Sequence, residues 1–243
     1  GRCYLRNRST VDLGALSLAV TDLNARVAAR QWPRGFIEEL YSPRDESSIT
    51  AADRVVYTTA NARRLDDYRR LIDTVPGDLR DLLLAPLLSE ASIHANTAGV
   101  FKGFYKNRAT RVGQYGGSGS DALKRICGDI RLVAPVLSAF ECDYAVLQGD
   151  ARAAADRVRR LDLAYLDPPY NQHPYGSNYF MLNLLVSYQR PERISRVSGI
   201  PADWRRSDYN VRALALRKLQ RALRGGEGES DAGGGDGRPG KLI

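Results

Sequence analysis

Leu163-Ala164-Tyr165-Leu166 runs without a charged residue into Asp167-Pro168-Pro169-Tyr170. Two consecutive prolines fix φ and remove two N–H donors, so neither a helix nor a sheet ladder continues through them. The run before them is continuous rather than alternating, the pattern of a parallel strand covered on both faces. Upstream, Tyr144-Ala145-Val146-Leu147 reads as another strand ending near Asp150, with a short Ala- and Arg-rich helix over residues 151–160 between the two. Together they predict a βαβ unit, and so an α/β chain whose ligands bind beyond the carboxyl ends of the strands.

That is where the tetrapeptide sits. With the proline N–H groups gone, it presents the Asp167 carboxylate, main-chain carbonyls and the Tyr170 ring: acceptors beside a stacking surface. An exocyclic amine on an aromatic base is a poor nucleophile because its lone pair is delocalised into the ring. Acceptors on its N–H groups localise the lone pair and take up the positive charge that develops as the nitrogen attacks an activated methyl group in line. A ring such as Tyr170 holds a base extruded from a duplex. The competing reading is a proline-rich turn with a chance tyrosine.

The rest of the chain divides by pattern. Leu16-Ser17-Leu18-Ala19-Val20 is a short apolar run closed by Thr21-Asp22 and reads as a buried strand with a carboxylate at its end; the alternative for Asp22 is a helix cap. A helix follows over residues 25–31 and breaks at Trp32-Pro33. Residues 59–104 are mainly helical: Leu65, Tyr68, Leu71 and Ile72 share one face, and residues 79–100 predict a strongly apolar helix bent at Pro86. From Phe101 the chain interleaves cations with rings, placing Lys102, Lys106, Arg108 and Arg111 among Phe104, Tyr105 and Tyr115 ahead of a glycine-rich loop. Another helix is expected from Ala122 to Ile126 and a last one over residues 207–223. Residues 225–243 are glycine-rich without an apolar face, the composition of a disordered tail.

Lys and Arg number 36 against 28 Asp and Glu, for a net charge of +8 over 243 residues. Glu227, Glu229, Asp231 and Asp236 sit in the tail, so the body is more basic still. Such a balance favours a polyanionic partner, although for any one cation a solvated face is an equal reading. The three cysteines are scattered, which suggests reduced thiols of the cytoplasm rather than a disulfide framework or a zinc site. No run approaches membrane-span length. No metal constellation is visible. His94 reads as a partly buried packing residue, and His173 lies beside the tetrapeptide.

Asp-Pro-Pro-Tyr after an apolar strand resembles the amino-methyltransferase motif of DNA adenine methylases, the alpha-order N6-adenine-specific family. Asn171 to Phe180, with Tyr175, Asn178 and Tyr179, is similar to that family's continuation, and Asn96-Thr97-Ala98-Gly99-Val100 to its helical segment. The likeness covers roughly residues 19–223. It implies a Rossmann-like S-adenosylmethionine-dependent methyltransferase sheet with a mainly helical insertion, methylating adenine N6 in duplex DNA without a metal and within a restriction–modification system. A cognate restriction endonuclease is then a partner. Position by position, Asp167 and the Pro168 carbonyl would accept from the target amine, with Pro169 holding the turn, and Tyr170 would stack on the flipped adenine. Tyr175, Asn178 and Tyr179 would shape the base pocket, while Asp22 and Asp150 would hold the cofactor ribose and adenine. Residues 1–31 and 141–224 would form the catalytic domain, and residues 32–140 the recognition insertion, with Lys102, Lys106, Arg108 and Arg111 on the DNA. One departure is plain. An aromatic followed by Gly-x-Gly is expected about twenty residues before Asp22, by analogy with nucleotide sites. Only Gly14 stands there, so the sheet is expected to be incomplete at the N-terminus. Two other readings stay open: a non-catalytic DNA-binding remnant, and a methyltransferase for another nucleobase amine in RNA or DNA.

Overall fold

The structure is a computed structural model that describes residues 2–29, 32–117, 121–149, 153–154, 157, 163, 165, 174–204 and 241–242. Asp150, the tetrapeptide at 167–170, His173 and the helix expected over 207–223 lie outside the described residues. The chain forms two compact units. One comprises residues 1–10, 137–174 and 206–243; the other comprises 11–136 and 175–205.

The larger unit is helical. Its first helix, α1, runs Leu13–Ala29. The Asp12 carboxylate opens it by accepting the Ala15 N–H at 2.9 Å. Leu16, Leu23 and Val27, one stripe at helical spacing, are its buried residues. This overturns the strand expected over Leu16–Val20. A five-residue apolar run fits either structure, and the longer stripe decides for helix. The helix continues through Thr21, whose hydroxyl bonds back to Ser17 O at 3.0 Å, and through Asp22.

The second helix, α2, is Phe36–Tyr41, and α3 is Thr59–Ile72. Thr58 caps α3 by accepting the Asn61 N–H at 3.1 Å. The apolar face expected on α3 is present: Leu65, Tyr68, Leu71 and Ile72 are buried. α3 also caps its neighbour. The Asp66 carboxylate accepts the first-turn N–H groups of Ile37 at 3.2 Å and Glu38 at 2.9 Å, meeting donors that a short helix leaves open. A side chain at Gly35 would overlap that carboxylate, so only glycine lets α2 start so close to α3.

Burial of so many carboxylates has a pH consequence. Asp67 lies next to Asp66 and faces Glu38, Arg63 and Arg70; burial, with the Asp66 and Glu38 charges, raises its pKa to about 6 against the pull of the two arginines. The folded chain therefore holds this proton more tightly than the unfolded one, and stability falls as pH rises from about 4 to about 6. Asp67→Asn should be more stable than the parent above that window, by roughly 1 kcal/mol, with the gap closing towards pH 4. Melting curves across the range check this; a gap that does not vary with pH would contradict it.

Helix α4 is Gly77–Ile93, with Pro86 inside it. It ends seven residues before the expected Val100, and Asn96 shows why. Its side chain donates to Val55 O at 2.7 Å and Gln114 O at 2.8 Å, and accepts from Gly116 N at 2.9 Å. Its main chain donates to Val56 O at 2.8 Å and accepts from Tyr105 N at 3.2 Å. These bonds hold three segments together and give the chain an alternative to a further helical turn. The central rail is the segment Val55-Val56-Tyr57, all fully buried. Helix α5, Asp121–Cys127, forms as expected, and the Asn61 amide ties its end down through Ile126 O and Gly128 O. One turn, α6 (Tyr175–Asn178), leads into α7 (Phe180–Ser187). Arg69, almost fully buried, reaches from α3 to the Leu185 carbonyl of α7 at 2.5 Å.

In the smaller unit, Asn7 and Cys142 exchange side-chain-to-main-chain bonds of 3.1 and 3.2 Å, and Glu141 accepts from the N–H and hydroxyl of Ser9. The strand β1 is Tyr144–Ala145, shorter than the expected 144–147, and pairs in parallel with β2, Lys241–Leu242. The tail expected to be featureless thus contributes a strand at those two positions. Leu163 and Tyr165 are exposed, at 86% and 87%, and lie outside any strand, against the buried strand expected there. A parallel strand is covered only when neighbours pair with it and helices pack on it. Among the described residues β1 and β2 form the one sheet, so the wider parallel sheet is not seen.

Candidate functional site

Two groups of expected site residues fall among the described ones, both in the helical unit. The first is the turn α6. Tyr175 and Tyr179 stack with ring centroids 5.7 Å apart and planes 23° from parallel. Tyr175 is 53% exposed, so one ring face of the pair meets solvent. Asn178, between them, gives its main-chain carbonyl to the Phe101 N–H at 2.7 Å, which fixes α6 to the start of the basic segment. Its side-chain oxygen is buried and has no hydrogen-bond partner. Such an oxygen costs about 1–3 kcal/mol unless a ligand or water completes it. A stacked aromatic pair with an exposed ring is suited to a planar ligand.

The second group is the basic segment, which folds as a hairpin. Lys106 and Gly113 form an antiparallel bridge, Asn107 N donates to Val112 O at 2.8 Å, and the Asn107 carboxamide accepts the N–H groups of Ala109 and Thr110 at 3.0 Å each. Arg111 takes φ 61°, the left-handed conformation that closes the tip. Gly113 packs against Val55, where a side chain would collide. Lys102, Arg108 and Arg111 are exposed, and the Lys106 ammonium lies over the Phe104 ring, 4.8 Å from its centroid. The four expected DNA contacts are thus carried on a hairpin and its approach. The neighbouring polar groups are already engaged. Tyr115 donates to Glu46 at 3.1 Å, and Gln114 donates its side-chain amide to Gly116 O at 3.2 Å. Both brace the hairpin.

Asp22 stands elsewhere. It sits within α1, exposed and 3.5 Å from Arg26. The strand end that made it a ribose ligand is not there. His94 is held between the Arg125 carbonyl at 2.6 Å and Glu90 at 3.3 Å, the packing role expected for it. Asp150, the other residue expected at the cofactor, lies outside the described residues. The described residues include no group of three or more metal-ligating side chains, and no helix among them is long and apolar enough to cross a membrane.

The acidic cluster between α2 and α3 was not expected. Glu38 is buried and takes a two-pronged ion pair from Arg63, and Tyr188 donates to Asp66 at 2.8 Å. Burial, then the Asp66 charge, pushes the Tyr188 hydroxyl up, so it remains a donor. The cluster is enclosed by its own partners and serves the fold. In sequence these acids look like an ordinary solvated helix surface, and only the packing of α2 on α3 sets them inside.

Residues 54–201 match the family model for D12 class N6 adenine-specific DNA methyltransferases. The chain belongs to that family. The match brackets the Asn96 junction, the basic hairpin, the tetrapeptide and α6. Among curated relatives, type II methyltransferase M.CviAII of Paramecium bursaria Chlorella virus 1 is 31% identical over 180 residues, 72% of this chain and 47% of that protein. Type II methyltransferase M.NlaIII of Neisseria lactamica is also 31% identical, over 57% of this chain and 39% of its own length. M.FokI of Planomicrobium okeanokoites is 25% identical over 65% of this chain and 22% of its own length. The chain therefore spans less than half of each of these relatives. No solved structure matches it. Membership of the family implies the S-adenosylmethionine-dependent methyltransferase fold at the level of class, and S-adenosylmethionine as the family's methyl donor.

Proposed function

We propose that the chain carries the base- and DNA-handling part of a site-specific adenine N6 methyltransferase acting on duplex DNA within a restriction–modification system. The observation that carries this reading is the family match over residues 54–201, which includes Asp167-Pro168-Pro169-Tyr170. Its modification-methylase relatives support the restriction–modification setting, in which a cognate endonuclease is the functional counterpart.

The chain's own residues act on the acceptor. The Asp167 carboxylate and the Pro168 carbonyl accept from the adenine N6–H groups, localising the lone pair on nitrogen. They also disperse the positive charge that grows on it, an electrostatic role that needs no proton to move first. Pro169 keeps the turn rigid, and Tyr170 stacks on the extruded ring. Tyr175 and Tyr179 offer a further stacking surface. Lys102, Lys106, Arg108 and Arg111 contact phosphates from the hairpin and its approach. S-adenosylmethionine, the methyl donor that the family implies, would supply the methyl group.

Separate titrations with duplex DNA and with S-adenosylmethionine test the reading. Binding of both is expected for an enzyme. DNA binding with no cofactor binding at millimolar concentration would replace it with a non-catalytic DNA-binding module.

A further inference from the structure

A second hairpin follows α7, and no role has been assigned to it. Ile194 and Pro201 form an antiparallel bridge, Ala202 N donates to Arg193 O at 2.9 Å, and Ser195 N donates to Ile200 O at 2.8 Å. Gly199 N bonds back to Ser195 O at 3.0 Å, with Gly199 at φ 73°. The hydroxyls of Ser195 and Ser198 bond each other at 2.7 Å, and Ser195 Oγ also accepts the Ile200 N–H. The turn is therefore closed on itself, and its serines have little left for a ligand. What it sends outward is charge: Arg193 and Arg196 are exposed, and neither has an ion-pair partner among the described residues. Arg190 differs, being clamped by Glu39 at 2.6 Å. Glu192 and Asp203 flank the foot of the hairpin, where Arg193 also stands, while Arg196 lies in the turn.

The seat of this hairpin gives it meaning. The buried Tyr41 hydroxyl donates to Gly199 O at 2.8 Å, and Gly199 presses on the Tyr41 ring and the Arg54 stem, where a side chain would not fit. The first basic hairpin presses Gly113 on Val55. Two closed, cation-bearing hairpins thus stand on consecutive residues, Arg54 and Val55.

We infer that Arg193 and Arg196 form a second contact to the phosphate backbone of duplex DNA, independent of sequence, beside the Lys106–Arg111 hairpin. The inference rests on the DNA-methyltransferase reading and names where a further part of the duplex is held. Two guanidinium groups on one closed hairpin suit phosphates, which fix position and orientation without carrying sequence information. Each phosphate neutralised adds about 0.9 to the slope of log affinity against log salt.

The test is a salt series of duplex binding, from about 50 to 200 mM, with the Arg193→Ala/Arg196→Ala double variant, Arg190→Ala and the parent chain. The double variant should lose about 2 from the slope and bind every duplex more weakly by a similar factor. Its melting temperature should not change, because both side chains are exposed and unpaired. Arg190→Ala should keep the parent slope. A parent slope in the double variant would overturn the inference and leave the DNA reading intact. Failure of the parent chain to bind any duplex would overturn both.

Discussion

Asp167→Ala is expected to lower methyl transfer by about three orders of magnitude, the scale on which loss of one charge-stabilising group acts at a reacting centre. Duplex affinity should stay within about twofold, because phosphate contacts made elsewhere supply most of the binding free energy. The split between the two readouts is the informative part. A carboxylate that merely held the turn would take folding and DNA binding down with activity. One that accepts from the amine lowers turnover alone. Asp167→Asn sharpens the comparison. The carboxamide keeps the volume and one acceptor but loses the charge, so turnover should fall nearly as far. Single-turnover methylation read beside anisotropy binding measures both, and parent-like turnover in either variant would remove Asp167 from the reaction.

The second large effect concerns folding. Asn96→Ala should lower stability by about 3 kcal/mol, because it leaves the Val55 and Gln114 carbonyls and the Gly116 N–H buried without their partner. For a chain of this size that corresponds to a fall in melting temperature of roughly 10 °C. Asn96→Asp should be little better. A carboxylate still accepts from Gly116 but faces two carbonyl oxygens that need a donor. The junction joins the central rail to the base of the basic hairpin, so the same variants should weaken DNA binding at temperatures well below unfolding. Calorimetric melting with binding at 20–25 °C separates the effects. A melting point within a degree or two of the parent would show that the junction is dispensable.

The contrast between these two residues shows what could be read from the sequence. The family was legible because two prolines between an acid and a tyrosine, after an apolar run, make four positions in a row unusual. The α3 face was legible because Leu65, Tyr68, Leu71 and Ile72 repeat at the helical period and no other pattern fits them. Leu16 to Val20 was not, since five apolar residues are too few to distinguish periods and the polar Thr21-Asp22 hides that Leu23 and Val27 continue the same stripe. Asn96 was recognised as part of a family segment, but its part in ending α4 was hidden. It depends on Val55, Gln114 and Gly116, which lie 41, 18 and 20 residues away. The same holds for Asp66, whose capped N–H groups belong to a helix 28 and 29 residues earlier. Long-range polar pairing leaves no periodic trace. Charge was legible as a total and only partly as a place: the Lys106–Arg111 hairpin stood out by composition, while Arg193 and Arg196 became notable once their ion-pairing differed from that of Arg190.

Adenine as the target can be measured without knowing the recognition sequence. Mixed-sequence duplex DNA incubated with the protein and S-adenosylmethionine bearing an isotope-labelled methyl group is digested to nucleosides and analysed by mass spectrometry. Label in N6-methyladenine, absent with Asp167→Ala, is the predicted result. Label in a cytosine or guanine derivative, or none in any base from a protein shown to bind both DNA and the methyl donor, would contradict it.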